Sequence, residues 1–353
     1  MSSKNLSHKV MAGMKKSKSD FEVFALSDPD SPCIVEERIS TGCLVLDYVM
    51  GGGLPVGRLT EFFGDPSSGK SLIAAGIIAQ AQADKSEETI IGYVDTESAV
   101  SMDMMRVLGV DVDNIIYSSP DTVEQVFSFF EELVENKQKV APDARVLLVW
   151  DSVASTSVEQ EMDNPYGKAT MGRHANLISQ SLRKFTRVIS KERVAMLFLN
   201  QTREKIGVMF GDNTATFGGK AIPFHSSVRV QLDLTGKIKI TSPKNKKKVT
   251  VKGMFTKAVC VKNKTAMPYR YGSLHIYFGT GIDDYKTTFS FLKENDLMTV
   301  SGGRYRLNLG EEELVFTKDE WEQVYSEFYE DIKTLIFELD KHEAEVNDEE
   351  TIE

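Results

Sequence analysis

No apolar stretch in this sequence approaches the roughly 20 residues that crossing a bilayer requires, so no membrane partner is expected. Cysteine is scarce: Cys33, Cys43 and Cys260 are the whole supply, and none stands in C-x-x-C spacing. A disulfide frame or a zinc site needs more thiols at closer spacing, and lone thiols fit a reducing compartment, so redox chemistry is not expected. Residues 1–20 carry five lysines but lack the apolar core of a secretory signal, which predicts a protein that stays in the cytoplasm where it is made. Internal repeats and extended low-complexity segments are missing as well.

What is there describes an ordinary folded chain, with 41% hydrophobic and 27% charged residues and a mean hydropathy of -0.24. At 353 residues the chain exceeds the roughly 250–300 at which single cores stop growing, which predicts at least two folding units. A net charge of -10 gives a mean field that repels phosphates. Its distribution argues the other way. Ten lysines and no acidic residue lie between positions 237 and 264, whereas residues 343–353 hold six carboxylates and no Lys or Arg. Such segregation suits a basic working surface and an acidic tail that competes with nucleic acid for it.

Apolar Val10, Met14, Phe21 and Phe24 with basic residues between them predict a short amphipathic helix over 8–25. Asp28-Pro29-Asp30-Ser31-Pro32 follows as a linker by composition. From 35 to 284, strand patterns at 59–63, 90–94, 146–150 and 195–199 alternate with long helical patterns, the mark of a parallel sheet covered by helices on both faces. The stretches 227–234, 237–240 and 248–261 are expected as strands closing that sheet, with a turn at 243–245. After Asp284 come a helix, a Gly302-Gly303 turn, short strands and a long helix over 318–339. The expected organisation is a helix and linker (1–34), an α/β core (35–284), a small C-terminal α+β domain (285–342) and an acidic tail (343–353).

Gly64-Asp65-Pro66-Ser67-Ser68-Gly69-Lys70-Ser71 matches G-x-x-x-x-G-K-[ST], and it stands between the predicted strand 59–63 and a helical run over 73–83. Consecutive backbone N–H groups must surround a β-phosphate, which a loop with glycine freedom at a helix N-terminus permits. The pattern predicts ATP with Mg²⁺, held by Pro66, Ser67, Ser68, Gly69, Lys70, Ser71 and Leu72. Lys70 neutralises the β- and γ-oxygens and Ser71 ligates the metal. A strand-to-helix turn without a ligand is the alternative, and the full motif with both flanks weighs against it.

A P-loop alone names hundreds of activities. The apolar strand 146–150 ends in Asp151, placed to reach the metal through water, although an Asp before Ser152 is also an ordinary helix cap. Strand 90–94 runs into Asp95-Thr96-Glu97, where Glu97 reads as the base that orients an attacking water. An isolated Glu there is more often a surface residue; together with the other two motifs it favours catalysis.

At this point the sequence resembles the RecA recombinase family over nearly its whole length. The likeness is carried by Ile39-Ser-Thr-Gly42 with Leu46-Asp47, Gly52-Gly-Leu-Pro55 with Gly57-Arg58, Val149-Trp-Asp-Ser-Val-Ala154, Met171-Gly172 and Ser179-Gln180 with Arg183-Lys184. Asn200-Gln201, Arg203, Lys205-Ile-Gly-Val-Met-Phe-Gly211, Gly218-Gly219, Val261-Lys-Asn-Lys264 and Pro268 extend it. The resemblance implies a RecA-type P-loop ATPase core with a mainly parallel central sheet, which builds a helical filament of its own copies on single-stranded DNA. It further implies pairing with homologous duplex DNA, strand exchange and DNA-stimulated ATP hydrolysis. Glu97 then looks like the water-activating glutamate and Gln201 like the γ-phosphate sensor, a task that suits an amide able to donate and accept. Lys262 and Lys264 look like cations that reach the neighbouring protomer's ATP, although lysines on a strand are also simple solubilisers.

The same resemblance implies two DNA-binding loops, 159–173 and 202–220. Their contacts are Met171, Gly172, Arg173, Ser179, Arg183, Arg203, Ile206, Gly218, Gly219 and Lys220, with Met171 and Ile206 as wedges between bases. The N-terminal helix is similar to a protomer-docking element, with Phe224 at an interface position, and a head-to-tail contact that does not close gives a filament. Several positions depart from the family pattern. Met104 replaces an aromatic over the adenine, Asn176 stands for an arginine, Pro223 stands for a lysine, and the cluster at 244–248 is either a solvated hairpin tip or an added contact for duplex. The divergent loops admit a viral copy, working in a host cytoplasm. Rival readings are a ring helicase, for which no arginine finger or additional domain is found, and a nucleotide-gated scaffold that coats single strands or activates a repressor's self-cleavage. Glu97 argues against the scaffold as the sole function.

Overall fold

The computed structural model describes residues 4–16, 23–28, 31, 33–159, 172–204, 214–242, 245–310 and 312–340. The chain divides into two compact units, Met1–Glu37 and Arg38–Glu353. In the first, helix α1 (Lys4–Lys16) leaves Leu6, Val10 and Met14 exposed at four-residue spacing. The expected helix 8–25 is corrected: α1 starts earlier, residues 23–25 are not helical, and Phe21 falls outside the described residues. Phe24 still meets the helix, because Lys15 Nζ lies 5.9 Å from its ring and 3.9 Å from Asp28. An apolar residue outside the helix thus mimics its spacing.

In the second unit a two-stranded ribbon of β1 (Arg38–Ile39) and β2 (Leu54–Pro55) flanks α2 (Leu44–Met50). Next come β3 (Leu59–Gly64), α3 (Lys70–Ala83), β4 (Thr89–Asp95), α4 (Met102–Val107), β5 (Ile115–Ser118), α5 (Val123–Val140) and β6 (Arg145–Asp151). Helix α6 (Arg173–Lys191), β7 (Val194–Glu204), β8 (Thr214–Thr216), α7 (Ala221–His225), β9 (Val228–Ser242), β10 (Asn245–Asn263), β11 (Tyr271–Tyr277) and β12 (Gly281–Ile282) follow. The sheet order is β12-β11-β10-β9-β3-β7-β6-β4-β5, with β8 paired to β7. The six strands from β9 to β5 are parallel and the β9–β12 edge is antiparallel, as a mainly parallel α/β core requires.

Side-chain alternation along β6 and β7 decides which helices cover which face. Leu147, Val149, Ala195, Leu197 and Leu199 join one core with α2 and α3. Val146, Leu148, Trp150, Met196 and Phe198 join the other, with α5 and the Ile178, Leu182, Phe185 and Ile189 stripe of α6. Because both faces are dry, these strands read as unbroken apolar runs.

Two expectations need correction. The separate strands 227–234 and 237–240 are one strand, β9, because Gly236 stays in the ladder opposite Phe255; positions 243 and 244 lie outside the described residues. The long helix 318–339 is a 3-10 turn (Lys318–Glu320), α9 (Trp321–Glu327) and α10 (Tyr329–Phe337), after α8 (Asp284–Glu294). Phe328 leaves helical geometry at φ -109°, ψ 28°, while the apolar period continues on both sides of it, so the pattern resembles one helix. A three-stranded sheet of β13 (Met298–Ser301), β14 (Arg304–Leu309) and β15 (Glu312–Phe316) completes the C-terminal part. Its Leu307 and Phe316, with Trp321, Tyr325, Ile332 and Ile336, share the α2–α3 core.

Asp284 ties that part to α2: its carboxylate accepts from Leu44 N at 2.8 Å and from the Tyr325 hydroxyl at 2.6 Å. Nearby Asp47 accepts from Ser40 Oγ at 2.6 Å and Thr41 N at 2.8 Å, yet burial pushes it up to about 6. Unfolded Asp titrates near 3.9. Between these values the folded chain binds the proton more tightly, so stability rises as pH falls through 6 and is lost as pH rises through it. The difference is on the order of 2–3 kcal/mol. Melting temperatures of the parent and Asp47→Asn between pH 4 and 8 are the check: the parent loses stability toward pH 8 and the variant's curve is flatter.

Candidate functional site

The parallel register brings the carboxyl ends of four strands to one edge. Gly64 of β3 is opposite Gln201 of β7, and Asp95 of β4 is opposite Asp151 of β6. Ligands of open α/β sheets bind at that edge. The loop after β3 turns through Ser67 (φ 64°) and Gly69 (φ 96°), the residue that caps α3. A Cβ on Gly69 would stand 2.9 Å from Ile276 Cδ1, which could shift, so it is the left-handed backbone that demands glycine there. That cap starts α3 at Lys70, ahead of the expected 73.

A cavity of about 520 Å³ opens over this loop. Pro66, Ser67, Gly69, Lys70, Ser71, Leu72, Glu97, Met104, Asp151 and Gln201, all singled out from sequence, line it. Ser68 stands apart from that lining: its side chain is fully buried, and its carbonyl accepts from Thr256 Oγ1 at 3.0 Å. Its backbone is engaged as well, since its N–H donates to the Asp65 carbonyl at 3.3 Å. Lys70 Nζ donates to the Gly64 and Asp65 carbonyls, both at 2.8 Å, and to Ser68 Oγ at 3.2 Å. Burial pushes Lys70 down, opposed by Asp151, Asp65 and Glu97.

Asp151 is pushed up by burial and partly pulled back by hydrogen bonds from Ser71 and from Tyr93, whose hydroxyl lies 2.9 Å away. The peptide bond between Asp151 and Ser152 is cis. Glu97 Oε1 accepts from Ser152 Oγ at 2.9 Å and from Gln201 Nε2 at 3.5 Å, so the two residues read as base and sensor share one contact. The turn carrying Glu97 is built by Asp95, which accepts from Glu97 N at 3.1 Å and Val100 N at 2.9 Å. Thr96 then ties it to the neighbouring strand end through Ser152 O at 2.7 Å.

Sequence reasoning missed the far wall of the cavity. Leu234 and Lys237 of β9, Val251, Gly253 and Met254 of β10, and Phe278 complete it, and Ser152 lines it as well. Apart from Ser152 these residues lie in no motif, and they stand more than 160 positions along the chain from the P-loop they face.

Lys262 and Lys264 do not line this cavity. Lys262 Nζ donates to the Pro223 carbonyl at 2.6 Å and the Phe224 carbonyl at 3.2 Å, and Lys264 Nζ lies 6.0 Å from the Phe224 ring. Burial, then Lys264 and Arg229, push Lys262 down to about 8. Phe224 itself is 72% exposed. On the same side Gly172 caps α6 at φ 90°, and the helix carries Arg173, Ser179 and Arg183. Arg183 Nε donates to the Ser179 carbonyl at 3.2 Å, and Arg203 stacks 5.0 Å over Phe217. Gly218 (φ 82°) and Gly219 (φ 62°) bring Lys220 and α7 against α6, where a Cβ on Gly219 would meet Ala175 at 3.0 Å. Met171 and Ile206 lie outside the described residues, within the stretches 160–171 and 205–213.

Strand topology, phosphate loop and acidic strand ends define a P-loop nucleotide hydrolase with a parallel central sheet. Residues 8–283 match the family model described as RecA N-terminal domain. The chain is 39% identical to Protein RecA of Clostridioides difficile (strain 630) over 271 residues, 76% of this chain and 73% of that protein. Against Protein RecA of Clostridium novyi (strain NT) it is 40% identical over 273 residues, 77% and 73% of the two chains. Against Protein RecA of Thermus aquaticus it is 37% identical over 316 residues, 88% and 87%. The chain belongs to the RecA family, and is a RecA-type recombinase that hydrolyses ATP in dependence on DNA.

Proposed function

We propose that this chain forms a helical filament on single-stranded DNA, pairs it with homologous duplex and uses ATP·Mg²⁺ to control its grip on DNA. The observation that carries the reading is the contact of Glu97 with Ser152 and Gln201 at the mouth of the P-loop cavity. Lys70 would release its loop carbonyls for the β- and γ-phosphates, Met104 would lie against the base, and Glu97 would draw the proton from the attacking water. Gln201 would report the γ-phosphate to loop 202–220. Ser71 and Asp151 suit a hard cation that keeps most of its own water, and among the described residues no cluster of three or more metal-binding side chains offers a full protein cage. When bound, Mg²⁺ supplies charge neutralisation on the phosphates. In this reading 1–34 docks protomers, 35–284 is the ATPase, 285–342 captures duplex and 343–353 competes with DNA.

Lys262 and Lys264 sit beside exposed Phe224 and away from their own cavity, which supports a role on a neighbouring protomer's ATP. ATP hydrolysis with and without single-stranded DNA, in the parent and in a Lys262→Ala, Lys264→Ala double variant, is the test. Strong stimulation in the parent that disappears in the variant is expected. Equal turnover in all four conditions would overturn the reading.

A further inference from the structure

A fully buried carboxylate lies three residues before the phosphate loop, and the nucleotide chemistry described above does not use it. Glu61 of β3 accepts from Arg229 Nε of β9 at 2.6 Å and from Asn200 Nδ2 of β7 at 2.9 Å. Arg229 also stacks 4.4 Å over Phe63. A buried ion pair is often no more stabilising than apolar side chains of equal volume, so stability alone gives no account of it. Its geometry does. Asn200 spends both amide hydrogens, on Glu61 and on the Phe217 carbonyl at 2.9 Å, and its oxygen accepts from the backbone N–H of Gln201 at 2.9 Å.

Gln201 begins the outgoing stem of loop 202–220, and Phe217 ends the returning one. Between them the stems pair as a short antiparallel ladder, Thr202 opposite Thr216. The Asn200 amide therefore closes that ladder at its root. The outgoing stem has a second tie, since Thr202 Oγ1 donates to the Asp65 carboxylate of the phosphate loop. Neither stem can move against β3 without breaking a bond to Asn200 or Asp65.

We propose that Asn200, oriented by Glu61 and Arg229, is a positioning residue that makes the nucleotide sensor Gln201 and the returning stem of loop 202–220 move as one body. This rests on the function proposed above, in which that loop binds DNA. Coupling carried by such a contact acts in both directions: DNA tightens nucleotide, and nucleotide tightens DNA.

The test is the affinity for a non-hydrolysable ATP analogue with and without single-stranded DNA, in the parent, Asn200→Ser and Glu61→Gln, with circular dichroism and thermal melting as the check on folding. Coupled sites usually differ by roughly 5–150-fold. The ratio is expected to fall toward one in both variants while the DNA-free affinity and the folded spectrum persist. Variants that melt earlier yet keep the parent's ratio would reduce the network to a structural brace and overturn the inference. A parent whose affinity ignores DNA would refute the proposed function instead. Amide exchange in the parent tests the network without substitution. Nucleotide alone is expected to slow exchange at Gln201 and at residues 217–219 together, and slowing confined to Gln201 would also overturn it.

Discussion

Glu97→Gln is expected to slow ATP turnover by roughly 10²–10⁴-fold, the usual contribution of a positioned general base. The substitution keeps the volume and an acceptor oxygen for Ser152 Oγ, which lies 2.9 Å from Glu97 in the parent. What it removes is the negative charge and the capacity to take a proton from water. Lys70, Ser71 and Asp151, which hold the phosphate end of the cavity, are untouched. Nucleotide affinity should therefore change little, and DNA binding and strand pairing should survive while release of the product stalls. Turnover and strand-exchange assays on one preparation separate these effects. If Glu97→Gln hydrolyses ATP at the parent's rate, Glu97 is a surface carboxylate beside the site and the base must be sought elsewhere.

Trp150→Ala is expected to cost about 3–5 kcal/mol of stability, the range for truncating a large buried aromatic. Trp150 is fully buried and packs edge-on against Phe198 at 4.9 Å and Phe127 at 5.8 Å. No neighbour on a two-sided parallel sheet can move in to fill the gap, because the strand is fixed by ladders on both sides. The loss should also reach the site. The indole Nε1 donates to Thr156 Oγ1 at 3.1 Å, and Thr156 in turn donates to the Ser152 carbonyl at 3.2 Å, beneath the corner that carries Asp151. Trp150→Phe, which keeps a ring but drops this chain of bonds, should cost less in denaturant unfolding and still weaken nucleotide binding. A Trp150→Ala loss under about 1 kcal/mol would mean that the site collapses around the gap far better than buried aromatic sites do.

Legibility along the chain followed the range of the forces involved. The phosphate loop was readable because its chemistry is local: seven consecutive positions supply the glycine backbone, the cation and the hydroxyl, and Gly69 at φ 96° is where the motif requires it. Glu97 and Asp151 were readable because each ends an apolar run, and parallel pairing brings strand ends together wherever the strands sit in the order. The inward turn of the Ser68 side chain was not readable, because motif position says nothing about which side chain turns inward. The helix expected over 8–25 and the single helix over 318–339 failed for a related reason: period alone does not report that residues 23–25 leave the helix or that the backbone breaks at Phe328.

By itself the sequence determined the class of fold, the phosphate cradle and the acidic strand ends, since apolar periodicity and motif chemistry act over a few residues. Tertiary structure alone decided the rest. It set the β9–β10 wall of the cavity, the grouping of Lys262 and Lys264 with Phe224, and the buried join of Glu61, Asn200 and Arg229. The partners in that join are 139 and 168 positions from Glu61. Contacts at such separation depend on strand order and register, which no local pattern encodes.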